Sequence, residues 1–505
     1  MLYNRNNIWV VIMAMTFVSC KKEFLEIPSE TNLSSAVFFK TQSDFEQAIN
    51  GAYAPLRTLY NNPAGNNTSA YIMGEMHSDN THYVINPGFR ATIDQEQIAD
   101  FISDPSSATA TNKYTTNYLI IARANQVLDL IDDMTFDQSA KDNIKGQALF
   151  LRSLAYLELA QFYGSVPLHL KPAKSREETA LPLTSMDSIY LQVTSDAQQA
   201  ATLLPPKSGQ QAGRATSGAA KAVLANVYLI QKKYSEAETV LKEIVNSGEY
   251  SLLADYAAVF SPSNKNNSES VFEVQYKEGT DGFASNFINP FLPMPISAAD
   301  VAAVFSANGV TPISVQALST EGYNIPTPDL LAAYEAGDKR KDASVGFVTT
   351  NGTTYPFIKK YLHPHGQFGL TNDNWPVYRY AEILLSLAEA LNEQNKTTEA
   401  LTYLNMVHAG ARTGLTAVAA TDQATLRGTI LHERRVELAF ENKRWLDLLR
   451  TGNAVPVITA YGASVKANPT AYYYPAGQAP PPAAFTTIDL KFPLPASEAL
   501  LSPYF

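Results

Sequence analysis

Apolar residues recur at three- and four-residue spacings along most of the chain, and that period predicts helices. Thr41 to Arg57 places Phe45, Ala48, Ile49, Ala52 and Tyr53 on one face. Asn61 to Ser69, rich in Asn, Pro and Gly, ends that helix. Residues 70–110 hold no sustained period and read as loops with short turns. The helical period resumes over Tyr114 to Asp133 and Asp142 to Tyr163. The second of these carries Ile144, Ala148, Leu151, Ala155, Leu159 and Phe162 on one stripe. It stops at Gly164, with Pro167 beyond, as a helix end requires.

Two later segments share an internal pattern. Leu224, Ala225, Tyr228, Ala237 and Leu241 recur at the same offsets as Leu387, Ala388, Leu391, Ala400 and Leu404. Small alanines let paired antiparallel helices approach, and large residues fill the groove between them, as in a tetratricopeptide repeat. The expected fold is mainly α, a tetratricopeptide-like scaffold interrupted by long loop-rich insertions at 60–112, 261–376 and 451–495. Loops of such length are uncommon unless they are functional or disordered.

One further helical stretch, Ile430 to Arg450, mixes a hydrophobic stripe with dense opposite charges. Glu433, Glu437 and Glu441 are like charges four residues apart, so Arg434, Arg435 and Arg444 are expected to offset them. A solvated face and a buried ionic network both fit the pattern. The interleaved Phe440 and Trp445 favour the network.

Cys20 is the single cysteine of the 505 residues, so the chain has no internal disulfide. Arg5 and the apolar run Ile8 to Val18 precede it, too short to span a bilayer but suited to a signal peptide. The segment resembles a bacterial lipoprotein signal with lipid attached at Cys20, although Phe17 stands where Leu is usual. Several acyl chains would be needed for stable attachment. The net charge of −10 speaks against a nucleic-acid partner. With 45% hydrophobic and 17% charged residues the chain is globular.

Positive signs of catalysis are missing. The chain has no glycine-rich phosphate loop, no GxSxG and no paired CxxC. His432-Glu433-Arg434-Arg435-Val436 departs from a zinc-protease helix because Val436 replaces the second histidine. His77, Asp79 and His82, and His363 with His365, are sparse clusters without a third partner at helical spacing, and no metal or other cofactor is expected.

Taken together, the motifs resemble the SusD/RagB family of surface lipoproteins. Cys20-Lys-Lys-Glu-Phe-Leu-Glu-Ile-Pro is similar to the family's mature start. Tyr118-x-x-Ile121-x-x-x-Asn125, Leu151-Arg152-x-x-x-Tyr156 and Tyr163-Gly164-x-Val166-Pro167 are similar to its first helices. Asp329-Leu330-x-x-x-Tyr334-Glu335-x-Gly337-Asp338-x-Arg340, Arg379 to Leu385 with Ala388-Glu389-Ala390, the block Glu433 to Arg450, and Phe492-Pro493-Leu494-Pro495-x-x-Glu498 complete the series. Tyr114 stands where Trp is common, and Ser502-Pro503 replaces the usual Asn-Pro.

The resemblance implies a leader at 1–19, an N-terminal region at 20–213, a tetratricopeptide-like pair at 214–260 and a C-terminal region at 261–505, with the mature chain one unit. It also implies a non-enzymatic lipoprotein of the outer membrane, facing outward. Such a protein binds an oligosaccharide, or in some members a peptide, on a ligand face formed by the long loop-rich insertions, and acts with a TonB-dependent transporter. Sugar sites need aromatic faces and planar hydrogen-bonding groups. Asp79, Asn80 and Tyr83 supply an acid, an amide and a ring within five residues and are expected to touch ligand. Phe283, Phe287 and Trp375 are the next candidates, although the spacing of Phe283, Phe287 and Phe291 fits a core stripe equally well.

Overall fold

The structure, a computed structural model, describes residues 39–61, 70–85, 93–175, 177–310 and 321–505. The leader, Cys20 and the tether after it lie outside the described residues. Eleven helices form the scaffold and are numbered α1 to α11 here. They are α1 Gln42–Tyr60, α2 Ala108–Leu130, α3 Gln138–Tyr163, α4 Met186–Leu203, α5 Ser217–Ile230 and α6 Tyr234–Asn246, then α7 Tyr380–Glu393, α8 Thr397–His408, α9 Gln423–Glu437, α10 Arg444–Thr451 and α11 Ala454–Ala467.

Their starts are written locally. Thr41 opens α1 with a capping box: its hydroxyl accepts from the Asp44 N–H, and the Asp44 carboxylate accepts from the Thr41 N–H at 2.7 Å. At the starts of α3, α4, α5 and α9 the side chains of Asp137, Ser185, Thr216 and Asp422 accept a backbone N–H of the first turn. Gly164 closes α3 with φ of +80°, where a side chain would be strained.

The helices stack in sequence. α1 packs on α2 and α3, and each of α2 to α6 packs on the next. The two repeat-like pairs are then joined in space: α6 lies against α7, which also receives α8 and α9. Gln394 and Lys396, after α7, reach Glu238 on α6 at 2.8 and 2.6 Å. The spacing of small and large residues therefore does what it predicts, since Ala225, Ala237, Ala388 and Ala400 are all buried. The mainly helical, tetratricopeptide-like class holds.

Inside the insertions, β1 Ser270–Val274 pairs antiparallel with β4 Trp375–Arg379, and β2 Val345–Thr350 forms a hairpin with β3 Thr353–Ile358. A second apolar cluster, separate from the main core, joins Ile288, Leu292, Phe305 and Phe357.

The stretch Ile430 to Arg450 is not one helix. α9 ends at Glu437, and Phe440 and Asn442 take φ of +69° and +62° before α10 begins. The break is held from outside. The wholly buried Glu75 carboxylate accepts from the N–H groups of Phe440 and Asn442, both at 3.0 Å. A Cβ on Gly74 would lie 2.7 Å from the Asn442 side chain, so only glycine lets the two segments meet. Burial pushes the Glu75 carboxyl up to about 7 despite these donors.

The charges of this block are buried, and their partners are not the expected ones. Glu437 accepts from Arg379 and Arg412 at 2.6 Å and from Arg340 at 2.9 Å. Glu441 is held by Arg379 at 2.7 Å and Lys360 at 2.8 Å. Glu433 is held by Arg340 at 2.5 Å and His408 at 2.8 Å. Glu269 completes the set through Arg379 and Arg412, both at 2.8 Å. Arg434 instead pairs with Asp447 at 2.9 Å, and Arg435 and Arg444 turn to Asp79. Neighbours in the helix cannot bend back onto carboxylates on its buried face, so cations from other segments must supply the charge.

Burial favours the neutral form of Glu437, but Arg412, Arg379 and Arg340 outweigh it and hold the carboxyl well below its ordinary range. Glu433 and Glu441 are lowered likewise, against burial, by His408 with Arg340 and by Arg379 with Lys360. These groups add stability that is present above the unfolded carboxylate value, about 4.3, and lost as pH falls through the depressed folded values. His408 has the opposite sign. Its hydrogen bond to Glu433 raises it, so its contribution is full below about 6.5 and is lost as pH rises through the folded value.

Arg379→Ala leaves Glu269, Glu437 and Glu441 short of a buried partner and is expected to cost ~3–5 kcal/mol by denaturant unfolding. Arg435→Ala is expected to cost less, because Arg444 still holds Asp79 at 2.7 Å; equal losses would show that the central network is not special. His408→Gln is expected to flatten the decline in stability from pH 6 to 9 while leaving the acid limb in place. An unchanged alkaline limb would remove His408 from the network.

Candidate functional site

Five of the six candidate ligand residues lie inside the molecule, and what occupies each is visible. Asp79 receives Arg444 through two hydrogen bonds, at 2.7 and 2.9 Å, and Arg435 at 3.0 Å. Asn80 accepts from Arg435 Nε at 2.8 Å and donates to Glu75 at 2.8 Å. Both side chains are spent in tying the segment after α1 to the α9–α10 junction. The Tyr83 hydroxyl bonds Asp100 and the Tyr474 hydroxyl, both at 2.8 Å. The Trp375 ring stacks on Tyr361 at 5.2 Å and meets Phe287 edge-on at 5.0 Å. Asp79, Asn80, Tyr83, Phe287 and Trp375 are thus buried and offer no free face to a ligand. Phe287 and Phe291 do form core, but from turns rather than a helix.

The histidines are absorbed in the same way. His77 stacks on Phe101 at 3.9 Å, its Nδ1 bonds the Ile98 carbonyl, and burial pulls it down to about 4. His363 Nδ1 meets Asp373 at 2.5 Å. Among the described residues no group of three His, Cys, Asp or Glu side chains could hold a metal ion.

Phe283 is different, since 43% of it is exposed. It ends a short loop that the Lys277 N–H closes by donating to the Phe283 carbonyl at 2.8 Å. Gly279 and Gly282 turn the chain there with φ of +125° and +80°. The base of the loop is fixed from the far insertion: Ser285 and Thr371 exchange backbone hydrogen bonds, and Glu278 accepts from the Gly366 N–H. One face of the ring is met by the Arg57 guanidinium, 4.7 Å from the ring centre.

Together they border a cleft of about 380 Å3 whose walls include Asn50, Tyr53, Arg214 and Gln275. Most polar groups there are engaged. The Tyr53 hydroxyl accepts from the Ala215 N–H at 3.0 Å, Arg214 bonds Gln147 at 3.1 Å, and Gln275 bonds Asn266 and the Glu273 carbonyl. The Arg57 guanidinium makes no hydrogen bond among the described residues. The cleft therefore presents one exposed ring and one planar cation with free donors, a pair that can receive a flat apolar surface and adjacent hydroxyls.

Arg57 is absent from the sequence-derived candidates. The signal for it is the stripe Asn50, Tyr53, Arg57 along α1, three polar-headed residues at spacings of three and four beside the apolar face.

Comparison with known proteins bears on the family and the fold. A model of the SusD family matches residues 333–503, and a second, described as starch-binding and associating with the outer membrane, matches 23–229. SusD-like protein P25 of Formosa agariphila is 28% identical over 500 residues, covering 90% of this chain and 91% of its own. SusD-like protein P2 of the same organism is 25% identical over 528 residues, covering 97% and 96%. A SusD-like carbohydrate-binding protein of Bacteroides fragilis superposes with a TM-score of 0.75 at 24% identity, over 92% of this chain and 99% of that one. A laminarin-binding SusD-like protein does so with 0.74 at 23%, over 92% and 98%. Matches at both ends, relatives aligned along nearly the whole length and a shared helical scaffold agree: this chain belongs to the SusD/RagB family.

Proposed function

We propose that the protein captures an oligosaccharide at the cell surface and passes it to a TonB-dependent transporter in the outer membrane. The observation that carries the binding step is the Phe283–Arg57 pair: an exposed ring backed by a guanidinium with unspent donors at a concave opening. Carbohydrate-binding and laminarin-binding relatives of the same fold support a glycan as the ligand. The ring would take the C–H face of a pyranose, and Arg57 would bond its hydroxyls.

The Phe283–Arg57 pair is suited to holding a ligand. No described helix is long and apolar enough to cross a membrane; in this reading the transporter carries the ligand across. Lipid at Cys20 would keep the two in one membrane. Tethering raises effective concentration, so a weak contact with the transporter suffices for high occupancy.

Phe283→Ala and Arg57→Ala are each expected to weaken glycan binding in calorimetry by ~0.5–1.5 kcal/mol without lowering the melting temperature. A screen over β-glucans, other glycans and peptides supplies the ligand. Unchanged affinity in both variants would move the site off this cleft, and a peptide as the best ligand would replace the glycan reading. Cys20→Ala is expected to shift the protein from the membrane to the soluble fraction. Retention in the detergent phase would contradict the lipid anchor.

A further inference from the structure

The Phe283 cleft carries an excess of positive charge in a chain whose net charge is −10. Its charged lining residues are Arg57, Arg214 and Glu273. Arg57 lies one helical turn beyond Tyr53 on α1, and the Arg214 guanidinium rests over the Tyr53 ring, 5.6 Å from its centre. The turn that brings Arg214 there is tied down. The Ala215 N–H donates to the Tyr53 hydroxyl at 3.0 Å. Gly213, with φ of +84°, passes so close to β1's extension that a Cβ on it would lie 2.7 Å from the Gln275 side chain. The two cations therefore flank one stripe of α1, with the exposed Phe283 ring beside them.

Neither cation has a counter-charge among the described residues. Of the twelve arginines with described side chains, nine form an ion pair with a carboxylate. The exceptions are Arg57, Arg123 and Arg214, and Arg123 lies outside the cleft, where it donates to the Gly51 carbonyl at 2.6 Å. Burial pulls the half-buried Arg57 guanidinium below its ordinary value, and no carboxylate offsets this. A cation taken partly out of water without a partner is held at a cost, and such groups gather where a ligand supplies the charge. Glu273 does not fill that role. It is buried, its Oε1 accepts from the Asn266 N–H and from the Asn374 amide at 3.2 Å, and burial holds its carboxyl above the ordinary range. The acids of the neighbouring loop are engaged as well: Glu278 accepts from the Gly366 N–H, and Asp281 pairs with Lys277 at 3.7 Å. A smaller adjoining cleft of about 150 Å3, which shares Gly213, Arg214, Phe272 and Glu273, adds Lys207 and no further acid.

From this we infer that the oligosaccharide taken by the Phe283 cleft is acidic, its sugars bearing carboxylate or sulfate groups that Arg57 and Arg214 hold while a ring stacks on Phe283. The inference rests on the reading of this cleft as the glycan site and narrows its ligand. A guanidinium presents a planar fork of donors that matches two oxygens of a carboxylate or a sulfate, and each such bond is charge-assisted. A neutral sugar would occupy the ring and leave both cations without a counter-charge. The acidity of the rest of the chain repels a polyanion, so attraction is confined to this opening.

Affinity electrophoresis of the full chain tests this in gels containing alginate, polygalacturonate, carrageenan or chondroitin sulfate, with laminarin, xylan, mannan and starch as neutral probes. The expected result is that an acidic polymer retards the protein most. Methyl esterification should abolish the effect if the group is a uronate, and desulfation should abolish it if the group is a sulfate ester. Retardation should fall between about 20 mM and about 0.3 M NaCl, as screening requires. Arg214→Gln and Phe283→Ala should each weaken binding of that polymer about tenfold, and Arg214→Lys should lose less. Arg214 makes one side-chain hydrogen bond, to Gln147, so its substitution should leave the melting temperature in place, which separates loss of binding from loss of fold. A neutral polymer bound best, with affinity lost in Phe283→Ala and kept in Arg214→Gln, would overturn the inference and leave the cleft a neutral-glycan site. So would failure of every acidic polymer to retard the protein. Acidic binding unchanged in both variants would overturn the reading of the cleft itself, and the inference with it.

Discussion

Three carboxylates four residues apart in sequence, Glu433 and Glu437 on α9 and Glu441 in the break after it, are buried, and the rest of the structure is arranged so that they are not left alone. An unpaired charge in such surroundings costs several kcal/mol, more than a single helix can repay. The compensation comes from Arg340, Lys360, Arg379, His408 and Arg412. These residues arrive from the central insertion, from the junction of β4 with α7, and from α8 and the loop after it. Each salt bridge therefore fixes where a distant segment must lie. A chain without a disulfide gains from charge the cross-links that sulfur would give elsewhere. Such pairs add specificity of arrangement more surely than net stability, and here that specificity sets the position of the loops.

The Asp79–Asn80 latch extends this principle. Glu75, Asp79 and Asn80 bind the segment after α1 to the break between α9 and α10. Tyr83, Asp100 and Tyr474 add a second tie to the segment beyond α11. With those insertions clamped inward, the 277–283 loop remains the part that projects an aromatic ring beside a free guanidinium. Rigid scaffold and presented loop are two consequences of the same pattern of burial.

Much of the scaffold was legible. Helical period, caps and the glycine stop at Gly164 are local signals, and the alanine pattern of the two repeat-like pairs encodes close helix contact. The break at Phe440 and Asn442 was not legible, because nothing in Leu438 to Lys443 forbids a helix. The turn exists since Glu75, remote in sequence, takes up its N–H groups. The candidate site was hidden for a related reason. An acid, an amide and a ring in close succession suit a sugar, but they suit an internal latch equally well. Only the approach of Arg435 and Arg444 decides between them. Phe283 was readable as an aromatic candidate. Arg57 was not legible because a basic residue in the last turn of a helix is ordinary, and only the fold brings Phe283 over it.

The central claim is that the buried latch is structural and that ligand meets the protein at the Phe283 loop. Hydrogen exchange with and without a saturating glycan tests it directly. The account predicts slow exchange at residues 75–83 in both states and new protection at residues 277–283 and the end of α1. Ligand-dependent protection confined to residues 75–83, with the 277–283 loop unchanged, would contradict it.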